Sequence, residues 1–242
     1  FFLVMVVIPA LDVALRYFFS RPLSGTIELT EFFMVIVFFS SVAYTQWTGG
    51  HIFMDVITAK LSRRRQRQLK LMTDIWSFVM IAYCIAAMLI YAHTSDLYSP
   101  VLGIPLTPFI YFAALGCALL FLTLLHDVLA SMLAVLEDGG MTALLLTLAL
   151  AVAGLFAAGW FMHHRIPGMS AVALGIWGIA FMFFLFFMGM PVAYALMAAS
   201  FVFLANMRSP AAAWNMLGSF WYGTVSSYDW SPLMFFLLMG YV

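Results

Sequence analysis

Charge is what this chain lacks most. Lys, Arg, Asp and Glu make up 8% of its 242 residues, against about 25% in a soluble domain. Net charge is missing as well, since ten basic side chains face ten acidic ones, which leaves no electrostatic footprint for nucleic acid. With 66% hydrophobic residues and a mean hydropathy of +1.08, there is too little polar surface to solvate a folded exterior, and a water-soluble enzyme is excluded. Disorder needs low hydrophobicity and high charge, and is excluded on both counts. Cysteine is nearly absent too. Cys84 and Cys117 stand far apart inside apolar runs, form no metal or redox motif, and read as buried structural thiols. What is present is apolar sequence in runs long enough to cross a bilayer repeatedly, and the composition defines a polytopic integral membrane protein.

A hydrocarbon core of about 30 Å takes about 20 helical residues. Strand-type alternation at barrel spacing does not recur, so the spans are helices. They are expected at 1–19, 28–47, 74–91 (beginning near Gln68), 106–136, 141–162, 170–188 and 191–206. A weaker apolar stretch covers 211–225, and Trp230 opens another. The expected fold is an all-α polytopic membrane helical bundle of about eight to nine membrane helices. Residues 166–207 carry no charge and would measure about 63 Å as one helix, so they must fold back. Gly189-Met190-Pro191 supplies the break, because proline cannot continue the hydrogen-bond ladder. The chain begins and ends inside apolar runs, and is read as a fragment of something longer.

Orientation follows from Lys60, Arg63, Arg64, Arg65, Arg67 and Lys70, six of the ten basic residues in one connection. The positive-inside rule makes that connection cytoplasmic, with 16–30 and 93–105 outside. The 137–140 link is then inside and 163–168 outside.

Ionisable residues in apolar spans are costly and are paired or functional. Asp12 and Arg16 stand at i,i+4 and share a helix face. Glu28 and Glu31 open the second span, at the positive end of its dipole. The four form a candidate outer rim, serving helix capping or the docking of an external partner. After the second span, His51 and Asp55 share a face while Ile52, Val56 and Ala59 share another, which predicts a short interfacial helix. The basic run, with Arg63, Arg67 and Lys70 at helical spacing, anchors at the headgroups, and Lys70 reaches Asp74 one turn on. Asp127 lies about 21 residues, or about 32 Å, along the fourth span and should emerge at the same surface, paired with a basic residue of that run. None of the histidines His51, His93, His126, His163 and His164 forms a mid-membrane pair of matched depth, which argues against haem. Near the end, Ser226, Ser227, Tyr228 and Asp229 interrupt the apolar sequence. Asp229 or Ser231 would cap a new helix, with Pro232 in its first turn. Interrupted helices in transporters offer helix N-termini to anionic substrates and free carbonyls to Na⁺, which makes these four candidates for substrate or ion binding. An ordinary surface loop is the alternative.

Several segments together resemble the membrane component of tripartite ATP-independent periplasmic (TRAP) transporters. Arg16-Tyr17, Gly25-Thr26-Ile27-Glu28-Leu29-Thr30-Glu31 and Gly49-Gly50-His51-Ile52-Phe53-Met54-Asp55, followed by the basic run, are similar to the small membrane subunit. Phe187-Met188-Gly189-Met190-Pro191-Val192-Ala193-Tyr194-Ala195-Leu196 and Phe235-Phe236-Leu237-Leu238-Met239-Gly240 resemble the beginning of the large one. A proline that the family places four residues before Phe-x-x-x-Gly stands here at Pro232. The resemblance implies a four-helix scaffold over 1–136, a linker with a fusion helix over 137–168, and the first part of the large subunit over 169–242. It implies Na⁺-driven, elevator-type uptake of an organic acid such as a sugar acid or dicarboxylate, with Na⁺ as coupling ion and no further cofactor. The implied partners are a periplasmic substrate-binding protein, membrane lipids, the small-molecule organic acid and the remainder of the large subunit, in a bacterial inner membrane. A membrane-anchor subunit of a redox enzyme and a secondary transporter that needs no binding protein are the alternatives.

Overall fold

The computed structural model describes residues 2–54, 57–164 and 170–230, with 232, 233, 236 and 240 beyond them. Seven α-helices account for most of these: α1 (Phe2–Phe19), α2 (Thr26–Trp47), α3 (Arg63–Thr94), α4 (Thr107–His163), α5 (Ala171–Phe187), α6 (Val192–Met207) and α7 (Pro210–Val225). Short 3₁₀ turns cover Thr58–Lys60 and Tyr228–Trp230, and no strand forms among the described residues. Three helices, α2, α3 and α4, are long and apolar enough to cross a membrane. The expected eight to nine membrane helices are therefore not found. One reason is that the fourth and fifth expected spans are joined without a loop as the two arms of α4, and another is that α5 and α6, at 17 and 16 residues, fall short of the about 20 residues of a straight crossing.

As a straight rod, the 57 residues of α4 would measure about 86 Å. The chain instead reverses within it, at Gly140, whose φ of 66° and ψ of −174° lie outside the helical region. Side-chain pairings establish the reversal. Toward α3, the arm 107–139 runs antiparallel: Arg67 reaches the Ala134 carbonyl, Lys70 reaches Ser131, and Cys117 meets Met88. The arm 141–163 runs parallel to α3, since Leu71 packs with Ala143 and Leu144 and Trp76 reaches the Ala151 carbonyl. Glycine is the residue for which that backbone conformation costs least.

Local chemistry fixes the other breaks. Gly189, at φ 84°, ends α5 in a Schellman arrangement, with Met190 N–H donating to the Leu185 carbonyl and Gly189 N–H to that of Phe186. Pro191 then stands as N-cap of α6. Ser170 and Ser209 cap α5 and α7 by accepting from Ala173 and Ala212, and Pro210 occupies the first turn of α7.

The core is shared among helices far apart in sequence. Ile81, Cys84, Leu120 and Leu124 pack with Leu185, Met190, Tyr194, Ala195 and Ala205 in one buried cluster. A second joins Val35, Phe39, Met88, Ile110, Ala113 and Cys117 to Tyr222. Close helix approach depends on small residues: a Cβ on Gly116 would strike the Phe39 carbonyl, and one on Gly218 would lie 2.6 Å from the Ala87 carbonyl oxygen. Cys84 and Cys117 are both buried and unbridged. On the outside, Leu115, Leu119, Leu122, Leu129 and Leu133 form an exposed stripe along the arm 107–139 at helical spacing. Such a continuous apolar face has a stable environment in lipid rather than water.

At its N-terminus α3 takes in the basic run, starting at Arg63 rather than near Gln68. At 32 residues it measures about 48 Å, so its basic first turns project beyond a 30 Å hydrocarbon core. The interfacial helix expected from Ile52, Val56 and Ala59 is not formed: 51–54 are non-helical and a 3₁₀ turn follows at Thr58–Lys60. Gly49 and Gly50, together with the hydrogen bond from Val192 N–H to the Ile52 carbonyl at 2.9 Å, draw this segment out along the turn before α6 instead. Asp55 and Val56 lie outside the described residues, as do Ser231 and most of the element expected after Pro232.

Candidate functional site

Polar side chains concentrate at the two ends of the bundle. At the basic end, Arg67 forms an ion pair with Asp138 at 2.8 Å, and Lys70 with Asp74 at 2.7 Å. Ser131 Oγ donates to the same Asp74 oxygen at 2.5 Å, which ties α3 to the arm 107–139. Five positive charges in the first turns of a helix oppose its dipole. Asp138 and the Gly139 and Ala134 carbonyls offset this and hold the Gly140 reversal against α3. Arg63 and Arg65 are exposed, as headgroup-level cations would be.

Beside this cluster lies a cavity of about 650 Å³, walled by Gln46, His51, Lys70, Asp74, Asp127 and Pro191 among others. Asp127 does not pair with a basic residue of the run. It accepts from Gln46 Nε2 at 2.6 Å, and His126 lies 3.5 Å from its other oxygen. Lys70 is already engaged by Asp74 and Ser131. Gln46 Oε1 in turn accepts from the Tyr194 hydroxyl at 2.8 Å, and Tyr194 Oη stands 3.4 Å from His51 Nε2. Burial pushes the His51 imidazole below its ordinary pKa, because the charged form loses its solvation. Gln46 and Tyr194 were not singled out from sequence. A lone amide in an apolar span, close in depth to an acid on a neighbouring span, was the available signal.

At the opposite end, Asp12 accepts from Arg16 at 2.7 Å and from Leu23 N–H at 2.7 Å, which closes the α1–α2 connection. Glu28 faces elsewhere. Its two oxygens accept from Val101 and Leu102 N–H at 2.7 and 2.8 Å, and so order the loop between α3 and α4. Glu31 has the Tyr228 main chain as hydrogen-bond partner. The acidic rim is thus not one network but three separate ties, each holding a different loop, because three loops converge on the start of α2.

Ser226 ends α7, and Ser227 Oγ donates to Asp229 Oδ2 at 3.3 Å across the 3₁₀ turn. The turn leans on α2 through Glu31. Among the described residues, no group of three or more His, Cys, Asp or Glu side chains is placed to hold a metal ion. His163 and His164 turn back onto the Gly159 and Trp160 carbonyls.

A bundle of apolar helices with a lipid-facing stripe, and polar clusters confined to its ends, is an integral membrane protein. Residues 5–134 match the family model described as "Tripartite ATP-independent periplasmic transporters, DctQ component". The match covers more than half of the chain, and the chain belongs to that family: it is a membrane component of a TRAP transporter and not an enzyme. No curated protein matches the chain.

Proposed function

We propose that the chain joins a small-subunit scaffold to the beginning of a large transport subunit, and serves Na⁺-driven uptake of an organic acid delivered by a periplasmic binding protein. In this reading residues 1–136 are the scaffold, 137–168 the linker with its fusion helix, and 169–242 the first part of the transporting subunit. The observation that carries it is the core shared by the family-matched part and the helices that follow. Leu185, Tyr194 and Ala205 share a buried cluster with Ile81, Cys84 and Leu124, and Gly218 lies against the Ala87 carbonyl. Helices packed this closely move as one body, which suits a static scaffold against which a transport domain slides in an elevator mechanism.

The basic end faces the cytoplasm of a bacterial inner membrane, with Arg63, Arg64, Arg65, Arg67, Lys70, His51 and Asp55 anchoring it at the headgroups. The end carrying Asp12, Arg16, Glu28 and Glu31 then faces the periplasm, where the binding protein docks. Ser226, Ser227, Tyr228 and Asp229 lie at that same end, near the path of Na⁺ or substrate. Uptake of labelled succinate and labelled gluconate into proteoliposomes, with the matching binding protein outside, tests the driving force. Accumulation under an inward Na⁺ gradient supports the reading. Accumulation that requires ATP, or that is equal under a K⁺ gradient, overturns it. Wild-type Na⁺ dependence in Ser227→Ala and Asp229→Ala variants removes the role of that turn.

A further inference from the structure

The four side chains that run from His51 to Asp127 form a hydrogen-bond chain whose direction is fixed from one end. An ionised carboxylate only accepts hydrogen bonds. Asp127 therefore requires the NH₂ of Gln46, which it receives at 2.6 Å. The amide has then only its carbonyl to offer Tyr194, whose hydroxyl donates to it at 2.8 Å. With its proton committed, Tyr194 Oη meets His51 Nε2, at 3.4 Å, as an acceptor. The chain is complete only when His51 carries its proton on Nε2.

The opposite polarity is equally well formed when residue 127 can donate. Gln46 then turns its amide by half a rotation, its NH₂ donates to Tyr194 Oη, Tyr194 donates to His51 Nε2, and the imidazole proton moves to Nδ1. Apart from the exchange of Gln46 Oε1 and Nε2, every heavy atom keeps its place. Each link joins a different element: Asp127 is on the arm 107–139, Gln46 near the end of α2, Tyr194 on α6 and His51 on the segment that follows α2. The other polar groups nearby do not compete for these contacts. His126 reaches only the far oxygen of Asp127, and Lys70 and Asp74 are paired with each other one turn apart on α3.

We propose that Asp127 is a positioning residue for His51, a residue of the cavity wall: its charge, relayed through Gln46 and Tyr194, sets which imidazole nitrogen holds the proton and hence whether Nδ1 is a donor or an acceptor. The chain also ties α2 and α4 of the family-matched part to α6, so the state of Asp127 is sensed where the two parts meet.

The test is ¹⁵N-histidine NMR of the full chain in lipid bilayers at neutral pH, with the His51 signals assigned by their loss in His51→Gln. The wild type is expected to show His51 as the Nε2–H tautomer. Asp127→Asn keeps the shape but can donate, and is expected to bring up an Nδ1–H signal of comparable intensity. In a Tyr194→Phe background the same Asp127→Asn change is expected to leave the His51 signals unmoved. Thermal unfolding of each variant checks that the fold is kept, and a Gln46→Met variant supplies a second way to cut the chain if Tyr194→Phe is unstable. An Nδ1–H tautomer in the wild type overturns the proposal, as does an Asp127→Asn spectrum identical to wild type. So does an Asp127→Asn effect that survives both cuts.

Discussion

The Trp76 indole N–H donates to the Ala151 carbonyl at 3.0 Å, and Gly154, one turn further on, leaves the space that the edge of the Trp76 ring fills. This relationship holds the arm 141–163 against α3 after the reversal. A Cβ at Gly154 would lie 2.5 Å from Trp76 Cζ2. Gly154→Val is therefore expected to cost about 1–3 kcal/mol by overpacking. Trp76→Phe, which keeps a ring but loses the hydrogen bond, is expected to cost about 0.5–1.5 kcal/mol. Thermal unfolding in a single detergent, compared with wild type, reads both, and a double variant no worse than Gly154→Val alone is expected because the two residues share one contact.

Gly140 makes the reversal itself. Space is open around it, so a methyl group meets nothing, and the cost of Gly140→Ala is conformational. A residue with a Cβ held at this φ and ψ costs about 1–3 kcal/mol. Lowered thermal stability is expected, with faster proteolysis at the 137–140 link. An unchanged melting temperature would show that the chain does not adopt this turn.

Glu28 orders a loop through donors that lie 73 and 74 residues further along the chain. Glu28→Gln keeps one acceptor oxygen for two donors and loses the charge that strengthens both bonds. Faster amide hydrogen exchange at Val101 and Leu102 is expected, while Leu23, held by Asp12, keeps its wild-type rate. Asp12→Asn should produce the converse pattern. If either variant loosens both loops alike, the two acids belong to one network after all.

His51 gives the protein a pH dependence of definite sign. Burial lowers its pKa in the folded state, so the folded protein binds fewer protons than the unfolded chain. The stability linked to this group is fully present above its ordinary value of 6.5 and is lost as the pH falls below it. Melting temperatures between pH 8 and pH 5 should decline at the acid end, and a His51→Gln variant should decline less. A steeper decline in the variant would reverse the sign and contradict the burial of this ring.

Much of the helix layout is readable from the sequence because its breaks carry local chemistry. Gly189 with Pro191, Ser209 with Pro210, and Ser170 each end or start a helix through contacts a few residues long. Asp12 and Arg16 are legible for the same reason, being one helical turn apart. The partner of Asp127 is not, since Gln46 lies 81 residues away and an uncharged amide gives no electrostatic signal. The same holds for Glu28 and the backbone of Val101 and Leu102, where the donors are main-chain groups that any sequence would carry. The short interfacial helix is not formed over 51–54 because periodicity over Ile52, Val56 and Ala59 says nothing of the tie between Ile52 and Val192. The basic run reads correctly as a charge cluster and incorrectly as a loop, because Asp138 and two carbonyls make its helical form tolerable.

This chain is a membrane component of a TRAP transporter, and in the proposed function its solute arrives on a separate protein. The most direct measurement is uptake of labelled succinate and gluconate by proteoliposomes holding the complete membrane protein, under an inward Na⁺ gradient, with and without the purified periplasmic binding protein. Accumulation of a labelled acid that depends on the binding protein, and disappears in its absence, is the predicted result. Uptake at the same rate without any binding protein would contradict the account.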